Sequence, residues 1–377
     1  MYRHIYVHVP FCTRRCSYCD FSIAVRPEVP VAGFVAAVGS ELGRRAGPAD
    51  VESVDTLYFG GGTPSKLGPA GIAGLIGALG TRGVRMAAGA EVTIEANPED
   101  VSPGAVAGWL DAGVNRLSLG IQSFAGPVLE WMHRSHDSAQ AAAAFRAARS
   151  GGISNISVDL ISSLPARLGR DWADDLSRAI ELEPDHFSVY GLTVEPRTPL
   201  GRWTARGTEI PAEDERSADE FLAARERLGA AGFEHYEVSS YARPGRRSRH
   251  NGAYWRRVPY LGLGPSAHSF DGTTRRWNTS AFAEWERVVA QGGDPLAGEE
   301  VLSIEQVKAE TLYLGLRTDA GAVLSDPGDR AHAAKWKAAG WATVEVERSG
   351  PVAADRVRLT AEGWLRLDAL AGTLGAR

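Results

Sequence analysis

Cysteine is scarce in this chain: three residues among 377, all between positions 12 and 19. That scarcity excludes a disulfide framework, and without a second cysteine pair the usual ligand set of a tetrahedral structural zinc is missing. Excess positive charge is lacking as well. Forty-one Lys and Arg face 46 Asp and Glu, for a net charge of −5, which argues against a general polyanion binder and against nucleic acid as a partner. No apolar run reaches the roughly 18 residues needed to cross a bilayer. The opening residues, MYRHIYVHVPFC, carry no charged segment followed by an apolar signal core, so a cytoplasmic protein is expected. The 43 glycines and 20 prolines follow no short period, which excludes collagen-like and low-complexity organisation. What remains is ordinary for a globular protein with a real core: 44% hydrophobic and 23% charged residues, in a chain longer than one average domain.

The first 195 residues alternate between two textures. Short β-rich runs stand at 4–9, 55–61, 91–98, 115–123, 155–161 and 186–194, and helical spacing fills 31–45, 69–80, 102–112, 138–150 and 170–182. Strands alternating with helices predict parallel pairing with right-handed crossovers, and several strands read as apolar on both faces. Periodicity alone does not separate an open doubly wound sheet from a full or partial barrel. The strand ends do carry information, because nearly every one finishes in a polar or glycine-rich cluster: Cys12–Cys19, Gly60–Thr63, Glu95–Asn97, Gln122–Ser123, Asp159. A barrel gathers its strand C-termini on one face, where ligands bind. Three regions are expected: a barrel over 1–235, a connecting region over 236–299, and an accessory α+β region over 300–377 that is winged-helix-like. Its helix, helix and hairpin (WATVEVERSGPVAADRVRLT) lead into a helix at 360–373. GLGPSA at 262–267 imitates a dinucleotide glycine motif, but Pro265 and the lack of a following βαβ unit make it a turn.

HVPFCTRRCSYCDF, residues 8–21, concentrates the chemistry. Zinc would need a fourth ligand. His8 lies four residues before Cys12, but it sits within a β-run and reads as a strand or supporting residue. A thioredoxin-like dithiol would use Cys16 and Cys19 and leave Cys12 unexplained. A [4Fe–4S] cluster, usually held by four thiolates, explains three: one iron is left without a protein ligand, open to chelation by the amine and carboxylate of a small molecule. GGGTPS at 60–65 after the second strand suits close approach of a ligand to the backbone, or simply a tight turn.

The C-x3-C-x2-C spacing with Tyr18 before the last cysteine resembles the radical S-adenosylmethionine (SAM) superfamily. That resemblance implies a partial (β/α)6 barrel, a [4Fe–4S] cluster on Cys12, Cys16 and Cys19, and SAM as a cofactor. YVHVPFC, YFGGGTPS, TIEANPE, RLSLGIQSF and HN-x2-YW together resemble the coproporphyrinogen III dehydrogenase-like branch. By that resemblance Tyr6, Tyr18, Gly61, Gly62, Thr63 and Glu95 surround SAM. Gln122, Arg134 and Asp159 match polar positions that the dehydrogenases use for a second SAM. As side chains, Arg134 suits a carboxylate and the other two suit ribose hydroxyls.

Two departures from the dehydrogenases stand out. Phe21 occupies the position of their fourth cysteine, and the first strand begins at residue 2 without their long N-terminal extension. Both point to the heme-carrying members of the branch. HNGAYW supports this, with His250, Asn251, Tyr254 and Trp255 as heme-binding candidates and Arg243, Arg246, Arg247, Arg249, Arg256 and Arg257 as partners for propionates. On residue chemistry alone, the same loop also reads as a basic surface segment anchored by its aromatics. His133 and His136 flank Arg134 without a further metal ligand and read as structural or SAM-adjacent. The expectation is a heme chaperone delivering heme to acceptor hemoproteins such as respiratory-chain enzymes, as a homodimer with peripheral membrane contact through those partners. An oxygen-independent coproporphyrinogen III dehydrogenase is the alternative; a tRNA-modifying enzyme is weakened by the negative net charge.

Overall fold

A computed structural model describes the chain except for residues 52, 348–353 and 376–377. Six parallel strands form its centre: β1 His4–Val9, β2 Val54–Gly61, β3 Met86–Ala96, β4 Arg116–Gln122, β5 Ile156–Ser162 and β6 His186–Gly191. Each is followed by helix: α1 Val31–Arg45, α2 Gly68–Gly80, α3 Pro103–Asp111, α4 Gly126–Trp131 with α5 Ser138–Ser150, α6 Trp172–Glu181, and α7 Pro199–Ala205 with α8 Asp214–Ala230. Strands β7 Glu234–Glu237, β8 Ser240–Ala242 and β9 Leu261–Leu263 extend the sheet to nine, in the order β9-β1-β2-β3-β4-β5-β6-β8-β7. β9 pairs parallel to β1, whereas β8 runs antiparallel to β6. The linear order leaves the barrel unclosed. The sheet nevertheless curls: Tyr190 of β6 lines the same cavity as Glu95 of β3 and Gly61 of β2, several strands away.

Alternation along the strands gives the curled sheet two unlike faces. On β1, Ile5, Val7 and Val9 are fully buried on the outer face, which the surrounding helices and β9's neighbours cover, while His4, Tyr6 and His8 take the other face. The same inward set recurs as Thr56 and Tyr58, Thr93 and Glu95, Arg116 and Ser118, Ser157 and Asp159, and His186 and Ser188. The strands are therefore apolar on the helix side and polar within, not apolar on both faces as expected; a lumen that binds polar ligands needs that second face.

GLGPSA is a turn only in its second half. Gly262 lies in β9, and the chain bends at Gly264, whose φ is +97° and where a side-chain carbon would meet the His8 carbonyl at 2.5 Å. Glu41, buried on α1, locks this corner. It accepts from Gly264 N–H, Asn278 Nδ2 and Trp285 Nε1, and burial pushes its pKa up to about 7. Helix α9, Arg249–Trp255, precedes β9. A second sheet of β10 His268–Phe270, β11 Thr274–Asn278 and β12 Leu296–Val301 follows, with α10 Phe282–Ala290 between its last two strands.

The C-terminal region has its own core around Leu316, Trp336, Val357 and Trp364. Helices α11 Ile304–Leu316 and α12 Pro327–Ala338 pack on an antiparallel sheet of β13 Ala322–Leu324, β14 Ala342–Glu347 and β15 Ala354–Leu359, in the order β13-β15-β14. The turn of the expected hairpin lies outside the described residues. The single helix expected at 360–373 is two short ones, α13 Ala361–Trp364 and α14 Leu367–Ala371, broken where Arg366 leaves helical geometry at φ −117°. Among the described residues no helix is long and apolar enough to cross a membrane.

Candidate functional site

The cysteine loop is held at both ends. Phe11–Cys12 pairs with Ala24–Val25, and His8 Nε2 reaches the Ser22 carbonyl at 2.8 Å. Within the loop, Ser17 N–H donates to Met132 O and Ser17 O accepts from Leu200 N–H, fastening its middle to the β4 and β6 sides of the barrel. Cys12, Cys16 and Cys19 are all half-buried and line one wall of a cavity of about 490 Å³ at the C-terminal ends of the strands. That volume falls within the range of small-molecule sites. Donors face two of the sulfurs: Thr63 Oγ1 lies 3.4 Å from Cys12 Sγ, and Arg134 Nη1 lies 3.8 Å from Cys16 Sγ. Burial pushes the Cys12 thiol up and the Cys19 thiol to about 11. Among the described residues no three His, Cys, Asp or Glu side chains converge tightly enough for a single ion, whereas a cluster of several irons spans a wider gap between thiolates. Three thiols on one cavity wall, two of them facing donors, fit such a group.

Gly61, Gly62, Thr63, Glu95, Gln122, Arg134 and Asp159 line the same cavity, and Tyr18 joins them. Glu95 accepts from Tyr58 Oη at 2.8 Å and from Gly61 N–H at 3.1 Å. Burial, reinforced by the nearby Asp159 carboxylate, raises its pKa to about 7 despite the Tyr58 hydrogen bond. Asp159 takes both its oxygens to Ser118 Oγ at 2.9 and 3.1 Å, and burial holds its pKa above the usual carboxylate value. Gln122 ends β4 at φ +69°, a left-handed conformation costly for a side-chain-bearing residue and typical of sites where geometry matters more than comfort. Arg134 donates to Asn97 Oδ1 at 2.7 Å and Gly120 O at 2.8 Å. Much of its fork is therefore spent on the protein.

Two expectations change here. The bare backbone of GGGTPS makes room chiefly for the protein itself: side-chain carbons at Gly61 and Gly62 would meet the His8 ring at 2.6 Å and the Pro10 backbone at 2.7 Å. Tyr6 is not in the cavity wall. It lies beneath, its hydroxyl 3.2 Å from His8 Nδ1 and its ring stacked on Tyr58. His133 is exposed on the cavity rim. His136 is buried between the Ile121 carbonyl and Glu99. Hydrogen bonds from His136 and Ser135 overcome the burial of Glu99 and lower its pKa to about 2. Phe21 is 64% exposed at the cavity mouth and Tyr190 47%.

The heme-binding candidates lie elsewhere. His250 is 1% exposed at the N-terminal end of the barrel, its Nδ1 2.6 Å from Thr56 Oγ1 and its Nε2 2.8 Å from Tyr254 Oη. Burial lowers its pKa to about 3, keeping the ring neutral. Ser248 caps α9 and the Asn251 N–H bonds to it, while both Glu91 oxygens accept from the first backbone N–H groups of the helix. Tyr254 packs edge-on against Tyr260, and Trp255 lies under the Arg317 guanidinium at 4.5 Å. The arginines expected for propionates are largely paired within the protein. Arg246 reaches Asp185, Arg247 reaches Glu234 and Asp319, Arg257 reaches Glu310, and Arg243 and Arg249 donate to the carbonyls of Ala231 and Gly89. Nearby carboxylates and carbonyls satisfy guanidinium donors at less entropic cost than a diffusing ligand.

The sequence reading missed Glu99, Ser118 and Tyr190 as residues of this lumen, and Tyr58, which supports it through Glu95. Tyr58 and Ser118 were legible by strand alternation, each two places before a glycine of its own strand. Glu99 lies just past β3 and had no such signal, whereas Asn97 belonged to the Glu95–Asn97 cluster already expected on this face.

Comparison with known proteins places this geometry. Residues 6–197 match the family described as the Radical SAM superfamily, and the chain belongs to it. Along nearly its whole length it resembles the heme chaperone HemW of Mycobacterium tuberculosis H37Rv, 36% identical over 381 residues that cover 98% of this chain and 94% of the relative. HemW of Synechocystis is 38% identical over 325 residues, covering 84% and 78% respectively. Within the superfamily the chain is thus a member of the HemW family. The solved structure of coproporphyrinogen III oxidase HemN from Escherichia coli, described as a radical SAM enzyme, superimposes with a TM-score of 0.81. It covers 98% of this chain and 89% of HemN at 23% identity, a likeness of fold.

Proposed function

We propose that this protein is a heme chaperone that holds a [4Fe–4S] cluster on Cys12, Cys16 and Cys19 and binds SAM against Glu95 and its neighbours. It delivers heme to acceptor hemoproteins such as respiratory-chain enzymes, in the cytoplasm, without decarboxylating coproporphyrinogen. The observation that carries this reading is the cavity that gathers three thiols on one wall and Gly61, Glu95, Gln122, Arg134 and Asp159 around it. The near full-length resemblance to proteins named heme chaperones supports the carrier role. In the cavity the bound cluster supplies an iron without a protein ligand and, when reduced, an electron. The chain's own contributions are to orient the ligand through Glu95 and Asp159 and to hold the loop through His8, Ser17 and Thr63. Phe21 at the mouth, where the dehydrogenase pattern has a cysteine, favours carriage over turnover.

Heme engages HN-x2-YW only when α9 lifts from the barrel floor, because both His250 ring nitrogens are occupied while it is seated. Anaerobic reconstitution tests the whole reading. It expects about four irons per chain, SAM binding, a heme absorption band lost in His250→Ala, and transfer of that heme to an apo-hemoprotein. Turnover of coproporphyrinogen would overturn the carrier assignment, and unchanged heme binding in His250→Ala would overturn the heme site.

A further inference from the structure

The heme-motif histidine and the carboxylate of the SAM cavity sit at opposite ends of the lumen, yet a single side chain touches both. The His250 ring stacks on Tyr58 with centroids 5.0 Å apart and planes 29° apart. The hydroxyl of that same tyrosine donates to Glu95 Oε1 at 2.8 Å, and Glu95 Oε2 accepts the Gly61 N–H at 3.1 Å. Tyr6 lies against both rings, stacked on Tyr58 at 6.1 Å and tilted against His250 at 6.4 Å. There is no slack at the joint. A side-chain carbon at Gly60 would lie 2.9 Å from Tyr58, 3.0 Å from Tyr6 and 3.1 Å from Glu95. Close-packed side chains of this kind pass a displacement on instead of absorbing it.

We propose that Tyr58 is a positioning residue that couples α9 to the SAM cavity, so that heme at His250 and SAM at Glu95 oppose one another. The proposal rests on the reading that heme engages HN-x2-YW. Its sign follows from the contacts. His250 becomes available only when α9 leaves, which removes the stacking partner from Tyr58 and frees the ring that fixes the Glu95 carboxylate. SAM held at Glu95 stabilises the seated tyrosine and hence the seated helix. Because linkage is reciprocal, each ligand weakens the other by the same factor. The consequence is an ordered cycle: the SAM-loaded protein keeps its heme-binding histidine covered, and the heme-loaded protein holds SAM weakly.

The test uses the cluster-reconstituted full chain, titrated anaerobically with heme in the presence and absence of saturating SAM. Wild type is expected to bind heme at least about fivefold more weakly with SAM present, the lower end of usual coupling factors. Tyr58→Phe keeps the ring and its stacking but loses the bond to Glu95, so the ratio of heme dissociation constants with and without SAM is expected to fall towards one. An identical wild-type heme affinity with and without SAM would overturn the coupling whether or not the variant folds. Coupling undiminished in a folded Tyr58→Phe would overturn the role of this residue. His250→Ala separates the two levels. Heme binding retained in that variant defeats the heme site itself, whereas heme binding lost there alongside SAM-independent binding in wild type defeats the coupling alone.

Discussion

The two ends of the barrel use similar side chains to opposite effect. At the C-terminal end of the strands, Cys12, Cys16, Cys19, Gln122 and Arg134 line an open cavity, rimmed by the exposed Phe21 and Tyr190. At the N-terminal end, His4, Thr56, His250 and Tyr254 saturate one another, and Glu91 closes α9 over them. A polar group facing a cavity keeps bonding capacity for a ligand, whereas one in a satisfied network contributes to stability and loses it when a partner is removed. The difference separates binding from architecture more sharply than residue type does.

The largest effect expected at the upper end is chemical and leaves the fold intact. Cys16→Ala should drop iron from about four per chain to background after reconstitution, with the thermal midpoint little changed because the residue is only half-buried. Retained iron would break the assignment of the upper end. The floor should behave the other way. Glu91→Ala removes both acceptors of the α9 N-terminus and the largest favourable charge beside buried Arg116. Leaving that buried charge without its partner is expected to cost about 3–5 kcal/mol by denaturant unfolding, with cluster assembly unaltered. A loss below about 1 kcal/mol would mean that the floor is not held this way.

The pH dependences of the two ends should have opposite sign. His250 is depressed by burial from 6.5 to about 3. Its contribution is present above pH 6.5 and is lost as pH falls towards 3, about 2 kcal/mol between pH 7 and 5. Glu95 is raised by burial from 4.5 to about 7, so its contribution is present below pH 4.5 and is lost as pH rises through 7. Amide exchange is the measurement: acidification from pH 7 to 5 should expose 249–255 while protecting the segment around Glu95, after correction for intrinsic exchange rates. Parallel changes at both ends would end the distinction. The smallest effect is expected at Phe21→Ala, within about 0.5 kcal/mol, since the ring is largely exposed. A larger loss would mean that the ring packs as part of the barrel and not as the rim of a cavity.

Much of this was legible in advance, and for a definite reason. Helices 31–45 and 138–150 match α1 and α5 residue for residue, because apolar spacing and the Asp137–Gln140 capping box are local signals. The cavity lining was readable because parallel strands deliver their C-terminal residues to one face. The extra strand β9 was missed because three residues running into Gly264 look like a turn, and only pairing with β1 makes them a strand. The pairing of the arginine loop was not legible for a related reason: its partners Asp185, Glu234, Asp319 and Glu310 lie outside the loop in sequence.

The sequence by itself determined the superfamily, because three thiols within eight residues, at C-x3-C-x2-C spacing, form a local motif. It also determined which residues face the lumen, through the two-residue period of each strand. Only the tertiary structure decided what those residues are free to do. Whether a histidine waits for a ligand or is already satisfied depends on partners brought from other strands, and for His250 those partners are Thr56, Tyr58 and Tyr254. Local spacing encodes the first kind of information; hydrogen-bond saturation across the barrel, which no spacing encodes, decides the second.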